Sequence, residues 1–86
     1  MDTYDQKVID CFIENQLKYF PKKVADNSEE ALEFLEEYMP VVLGGIKEVI
    51  EYFDAEGVDV DGLSDDDIEE LEEVFAVGDG RYLVFI

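Results

Sequence analysis

Histidine is absent from this sequence of 86 residues, and cysteine occurs once, at position 11. Without histidine, the commonest general base of enzymes and a common ligand of zinc are both missing. Ser28 and Ser64 stand where helix caps are expected, and Cys11 lies on an apolar helix face, so nucleophiles for catalysis are scarce as well. A single cysteine also excludes an internal disulfide. We therefore predict that the protein is not an enzyme.

Basic residues are scarce: six lysines and arginines stand against 24 aspartates and glutamates, for a net charge of −18. Direct binding to nucleic acid is excluded, because it requires cations that neutralise phosphates. Such a charge destabilises a small fold through self-repulsion and speeds its encounter with cationic surfaces. It is explained either by a basic protein partner or by solubility and adaptation to salt. The many large apolar residues favour the basic partner.

No apolar run approaches the ~18 residues of a transmembrane helix, and the acidic start of the chain lacks the basic region of a signal peptide. We therefore expect a cytoplasmic protein with no membrane partner. The apolar fraction of 48% excludes a disordered acidic tail. The length favours a single domain, 1–86.

Apolar periodicity predicts helices over about 2–20, 28–38, 41–55 and 64–74, and a hairpin over about 74–86. Asn27 or Ser28 caps the second helix, and Ser64 caps the fourth with Asp67 in a capping-box position. The Gly44-Gly45 pair leaves a second start for the third helix, at Ile46. The fold class is thus α+β, with three to four helices packed around an N-terminal helix and a C-terminal β-hairpin.

The predicted hairpin has a turn at Gly78-Asp79-Gly80, where glycine accepts positive φ. Its second strand, 82–86, is apolar on both faces and should be covered on both sides. Whether residues 58–60 add a third strand stays open at this point. A lone hairpin leaves an unpaired edge, so we expect an edge through which two copies of the chain could dimerise.

Cofactor and metal motifs are missing. Asp59-Val60-Asp61-Gly62 resembles part of an EF-hand calcium loop, but the first and twelfth loop positions then fall on Gly57 and Ile68, where acidic ligands are required. Gly44-Gly45 lacks the Lys-Ser/Thr that completes a phosphate-binding loop. We therefore predict no metal and no cofactor.

The candidate partner-binding site centres on the predicted helix 64–74, where the acidic residues are densest. Its carboxylates are Asp65, Asp66, Asp67, Glu69, Glu70, Glu72 and Glu73, and its aromatic anchors are Tyr52, Phe75 and Tyr82. Carboxylates at the rim of an interface accelerate association, while a few buried anchors provide affinity. The glutamates of the predicted helix 28–38 are interpreted as a solvated face.

Three hypotheses of function follow. The leading one is a small stoichiometric inhibitor of a basic protein, an immunity protein that neutralises a bacterial nuclease toxin. The second is a phage-type mimic of DNA that inhibits restriction, CRISPR or other DNA-binding proteins, with carboxylates in place of phosphates. The third is a homo-oligomeric structural or assembly protein joined through the strand edge. An immunity protein needs one acidic patch with an apolar centre, whereas a mimic needs carboxylates spread in rows.

Overall fold

The structure is a computed structural model that describes residues 4–85. Its helices are α1 (Gln6–Asn15), α2 (Ser28–Tyr38), α3 (Ile46–Ala55) and α4 (Asp65–Glu69), and a 3-10 turn, Gln16–Lys18, follows α1. Its strands are β1 (Val41–Leu43), β2 (Val74–Ala76) and β3 (Tyr82–Val84). The predicted α+β fold class is confirmed.

The three strands form one antiparallel sheet in the order β1-β3-β2. Val84 of β3 is paired with Val41 on one side and with Val74 on the other. β2 and β3 form the predicted hairpin, whose turn has Gly78 and Gly80 at positive φ. Because β3 is central, the prediction of an unpaired edge on the C-terminal strand is wrong. Dimerisation of the chain stays a prediction.

β1 replaces the beginning of the helix predicted over 41–55. Pro40 lacks a backbone N–H and Val41 and Val42 are β-branched, so this segment suits an extended strand once β3 is available to pair with it. Gly44 and Gly45 separate the strand from α3, which begins at Ile46, the second start that the sequence allowed. Residues 58–60 form no strand.

α1 and α4 are also shorter than predicted. α4 ends at Glu69 rather than at residue 74, because Val74–Ala76 pair with β3 and the chain turns out of the helix before them. α1 begins after Asp5, whose carboxylate accepts a hydrogen bond from the Val8 backbone N–H at 3.1 Å. Residues 1–3 and 86, which belong to the predicted N-terminal helix and hairpin, lie outside the described residues.

The sheet separates two hydrophobic cores. Phe12 of α1 packs with Phe75 and Phe85 in one core, which α2 also covers. α3 and α4 build the other core, where Phe53 and Ile68 are fully buried. Alternate residues of β3 and the position after it enter opposite cores, which confirms that this apolar strand is covered on both faces.

Gln16 fixes the loop that positions α2. Its side-chain amide donates to the carbonyl oxygen of Ala25 at 2.8 Å and accepts from the backbone N–H groups of Val24 at 2.7 Å and Ala25 at 3.1 Å. The side chain is buried, so these bonds replace the water that it loses. The loop then leads to Asn27, whose side chain caps α2, as the sequence predicted.

Candidate protein-binding surface

The acidic segment, defined here as residues 65–73, consists of α4 and the turn that leads into β2. Ser64 precedes it in a capping box: the Ser64 hydroxyl accepts from the Asp67 N–H at 3.2 Å, and the Asp67 carboxylate accepts from the Ser64 N–H at 3.1 Å. The predicted capping box is thus confirmed. Asp67 thus has a structural role as part of the cap. Asp65 and Asp66 lie in the same first turn, where the helix dipole favours negative charge.

The seven predicted carboxylates of this segment face water and lack counter-ions. Five are exposed, and Glu69 and Glu73 are half-buried. Within residues 4–85, no lysine or arginine nitrogen lies within 4.0 Å of any of them, because the ion pairs of that range all belong to Arg81. Their charge is therefore available to a cationic partner.

Arg81 forms a separate cluster, the Arg81 corner, with Asp5 and Asp79. Its guanidinium lies 3.0 Å from the Asp5 carboxylate and 2.8 Å from that of Asp79, which joins the cap of α1 to the hairpin turn. Hydrogen bonds from Arg81 hold the pKa of both carboxyls below the usual value. The charge of Arg81 is thus matched locally and leaves the acidic segment uncompensated.

Lys18 supports the acidic segment through its backbone. Its ammonium donates to the carbonyl oxygens of Glu69 at 2.7 Å and Val74 at 2.5 Å, the two ends of the turn between α4 and β2. The ammonium also lies 6.0 Å from the centre of the Phe75 ring. Partial burial lowers the pKa of Lys18 in spite of the nearby carboxylates, among them Glu70. Lys18 therefore holds the turn in place.

Tyr82, one of the predicted aromatic anchors, lies beside the acidic segment. Burial raises the pKa of its phenol, and the carboxylates of Glu69 and Asp65 raise it further. Burial and the neighbouring Glu56 likewise raise the pKa of Tyr52 on α3. Both tyrosines are half-buried and pack against the core formed by α3 and α4. Tyr82 and the predicted carboxylates thus come together, with Tyr52 on the same side of the sheet.

Phe75 does not join this surface. Its side chain is 1% exposed, and its ring stacks with Phe12 at a centroid distance of 6.2 Å on the other side of the sheet. Alternate residues of a strand face opposite sides, so Val74 enters the α4 core while Phe75 enters the α1 core. The predicted role of Phe75 as a contact anchor is therefore wrong.

An aromatic edge that was not predicted from the sequence is formed by Tyr19, Phe20, Phe34 and Tyr38. The rings of Phe34 and Tyr38 stack at 5.5 Å, and Phe20 meets them edge-on at 5.2 Å and 5.9 Å. Tyr38 is 47% exposed. The available signal was the spacing of Phe34 and Tyr38, four residues apart on a helix that is otherwise rich in glutamate.

The aromatic edge adjoins the end of the acidic segment. The Phe85 backbone N–H donates to the carbonyl oxygen of Glu73 at 2.9 Å, and the Phe85 ring lies 5.4 Å from the rings of both Tyr19 and Tyr38. A hydrogen bond with Tyr38 raises the pKa of Tyr19, and burial and the nearby carboxylates of Glu73 and Glu72 add to the effect. Apolar surface and carboxylates therefore meet on this side of the molecule. That is the combination expected of an interface with an apolar centre and a charged rim.

A groove of about 260 Å³ lies between α1 and the hairpin turn, and Cys11 lines it together with Lys7 and Asp10. The thiol donates to the carbonyl oxygen of Ala76 at 3.3 Å, and burial raises its pKa. A neutral thiol is a weak nucleophile, so the groove has the features of a structural cysteine site. In the part of the chain that the structure describes, no group of at least three cysteine, aspartate or glutamate side chains is arranged to hold a metal ion.

Comparisons with protein families, with curated proteins and with solved structures give no match for this chain. None of the helices between residues 4 and 85 has the length and apolarity needed to cross a bilayer.

Proposed function

We propose that the protein is a stoichiometric inhibitor that binds a basic partner through the acidic segment, and that it is an immunity protein for a bacterial nuclease toxin. One observation carries this proposal: seven carboxylates crowd into nine residues with no counter-ion within 4.0 Å in the described chain. Nucleases that bind nucleic acid present cationic surfaces to phosphates. Carboxylates that occupy such a surface block it.

The uncompensated charge of the acidic segment would attract the basic partner. Repulsion among the carboxylates opposes folding, and screening by salt reduces both this repulsion and the attraction for a distant partner. Carboxylates at the rim raise the rate of association, and half-buried aromatics such as Tyr82 and Tyr52 supply area for slow dissociation. One dense acidic patch with the half-buried ring of Tyr82 next to it supports the proposal.

We also propose that the protein acts by binding and not by catalysis. The thiol of Cys11 is buried and donates to a backbone carbonyl. The hydroxyl of Ser64 is engaged in the capping box, and that of Ser28 accepts from the Gln6 side chain at 3.1 Å. These engagements support a non-enzymatic role, because an activated nucleophile needs a neighbouring base.

A mimic of DNA is the second candidate, and one observation favours it. Exposed carboxylates also cover α2, at Glu29, Glu30, Glu33, Glu36 and Glu37. With the acidic segment they give the molecule more than one row of negative charge. A mimic would bind several DNA-binding proteins with a steep dependence on salt, as phosphates do.

The test is capture of partners from a lysate of the source organism on immobilised protein at low salt, with half of the beads washed at high salt. Mass spectrometry of a single basic nuclease-like protein that survives the wash supports the immunity protein. Many DNA-binding proteins that all elute at high salt support the mimic or plain anion exchange. Recovery of the chain itself alone would contradict both proposals.

A further inference from the structure

We propose that α2 carries a notch for an arginine side chain of the basic partner, formed by Phe34, Glu37 and Tyr38. This inference rests on the proposed function, because it names a cationic group that the partner inserts. It places that contact on α2, outside the acidic segment.

The three residues line a groove of about 240 Å³. Glu37 and Tyr38 lie three and four positions after Phe34, so each neighbours Phe34 on the helix surface. The rings of Phe34 and Tyr38 stack at 5.5 Å with 21° between their planes. Tyr38 is held from behind by Phe85, whose ring lies 5.4 Å away. The notch is therefore an ordered aromatic wall with a carboxylate beside it.

This combination suits a guanidinium group better than an ammonium group. A guanidinium is planar and weakly hydrated, so it stacks on an aromatic face while its N–H groups bond to a carboxylate in a fixed fork. Lysine offers a strongly hydrated point charge that does not stack. Tyr38 would supply the ring and Glu37 the carboxylate, which commits the notch to arginine.

The surrounding charge is complementary to this occupant. Glu37 has no ion pair within the described residues, and Glu33 and Glu36 are exposed on the same helix. On the other side, Phe85 contacts the Tyr38 ring and donates its backbone N–H to the carbonyl oxygen of Glu73 at 2.9 Å, at the end of the acidic segment. A partner that places other cations on the acidic segment would therefore find the notch next to it.

Met39, the residue after α2, lies next to Tyr38 in the sequence and is exposed. Its φ of 63° lies in the left-handed region, which is unfavourable for a methionine, and its side chain is 72% exposed. Glycine or asparagine is the usual choice at such a helix end. An exposed methionine beside Tyr38 adds flexible apolar surface for the partner to cover.

The test compares nona-arginine with nona-lysine, two peptides of equal charge, by isothermal titration calorimetry at one salt concentration. The parent protein should bind nona-arginine more tightly. Tyr38→Leu should weaken nona-arginine binding about threefold with little effect on nona-lysine, whereas Tyr38→Phe should retain the preference because the ring remains. Glu37→Gln should weaken nona-arginine binding about threefold, and Glu29→Gln, an equal charge change at the start of α2, should do so less than twofold.

The notch is refuted if Tyr38→Leu and Glu37→Gln change the binding of nona-arginine no more than Glu29→Gln does. Should Tyr38→Leu fail to fold, the pair Glu37→Gln and Glu29→Gln decides alone. Failure of the proposed function is a separate outcome. The peptides would then show the expected preference, while the lysate yields no basic protein.

Discussion

The carboxylates of the Arg81 corner are ion-paired, whereas those of the acidic segment have no ion pair within the described residues. In the corner, Asp5 and Asp79 each lie within 3.0 Å of the Arg81 guanidinium. In the acidic segment, seven carboxylates have no such partner, and the ammonium of Lys18 bonds to backbone carbonyl oxygens instead of neutralising them. Carboxylates in the corner hold two elements together, whereas those in the segment leave their charge directed at the solvent.

The difference separates stability from recognition. A pairing that fixes the cap of α1 to the hairpin turn serves the fold, and its carboxyls have lowered pKa values as a result. Repulsion in the acidic segment works against the fold, because α4 holds like charges four residues apart, such as Asp65 and Glu69. A feature that opposes folding while it attracts cations is consistent with binding as its purpose.

The largest effect should come from Lys18→Met, which retains the aliphatic stem and removes the cation that holds the segment's turn. Two part-buried carbonyl oxygens would lose a charged donor, so the free energy of unfolding should fall by about 2 kcal/mol in urea titrations. Lys22→Met, at an exposed loop position, should change it by less than about 0.5 kcal/mol. Equal effects of the two changes would show that Lys18 has no special structural role.

A gain in stability is expected when the acidic segment is neutralised by Asp66→Asn, Glu69→Gln, Glu70→Gln and Glu73→Gln together. Two pairs of like charges at i,i+4 disappear, which should stabilise the protein by about 0.5–1 kcal/mol at low salt and by less at high salt. The matched control is Asp26→Asn, Glu36→Gln, Glu48→Gln and Asp54→Asn, exposed positions with the same net change and no helical i,i+4 pair of like charges. A larger gain in that control would place the main repulsion elsewhere.

Arg81→Gln should remove the cation that pairs with Asp5 and Asp79, so that these carboxylates become uncompensated like those of the acidic segment. The pKa values of Asp5 and Asp79 are lowered in the folded state, so their contribution to stability is present above the ordinary value of 3.8 and is lost as pH falls through the lowered values. The difference in urea midpoint between parent and variant should therefore be widest near neutral pH and narrow towards about pH 3. Lys47→Gln, an exposed cation, serves as control. A difference independent of pH would refute this account of the corner.

The smallest effect should be a change in the pKa of Tyr82, which responds to the charge of the neighbouring acidic segment. Burial is the main cause of its raised pKa and the Glu69 charge adds to it, so Glu69→Gln should lower the pKa in an NMR titration without restoring the usual 10.0. A raised phenol pKa gives stability below about pH 10 that is lost as pH rises through the folded value, so the variant, whose pKa is raised less, should lose less stability over that range. Asp54→Asn should leave the Tyr82 titration unchanged.

Local signals predicted the parts of the fold that depend on neighbouring residues. Asn27 and Ser64 were identified as caps because a cap bonds to an N–H within three residues. β1 was missed because its pairing partner, β3, is about 40 residues away, and Pro40 is equally compatible with the first turn of a helix. A strand stabilised by a distant partner has no complete signal in its own sequence.

The same limit applies to the candidate surface. The density of carboxylates in residues 65–73 is a property of sequence, but the burial of Phe75 depends on which face of β2 meets α1. The exposure of Tyr38 likewise depends on how α2 lies against Phe20 and Phe85. Composition therefore located the charge, and only the packing distinguished aromatic residues of the core from those at the edge.

The central claim is that the acidic segment is the recognition site, and the association rate of the captured basic partner tests it most directly. Stopped-flow fluorescence at low salt would compare the parent with the two four-site variants described above. Neutralising the acidic segment should slow association about tenfold, and the control should slow it less than twofold. Equal slowing by both variants would show that net charge alone attracts the partner, which would contradict a specific role for the segment.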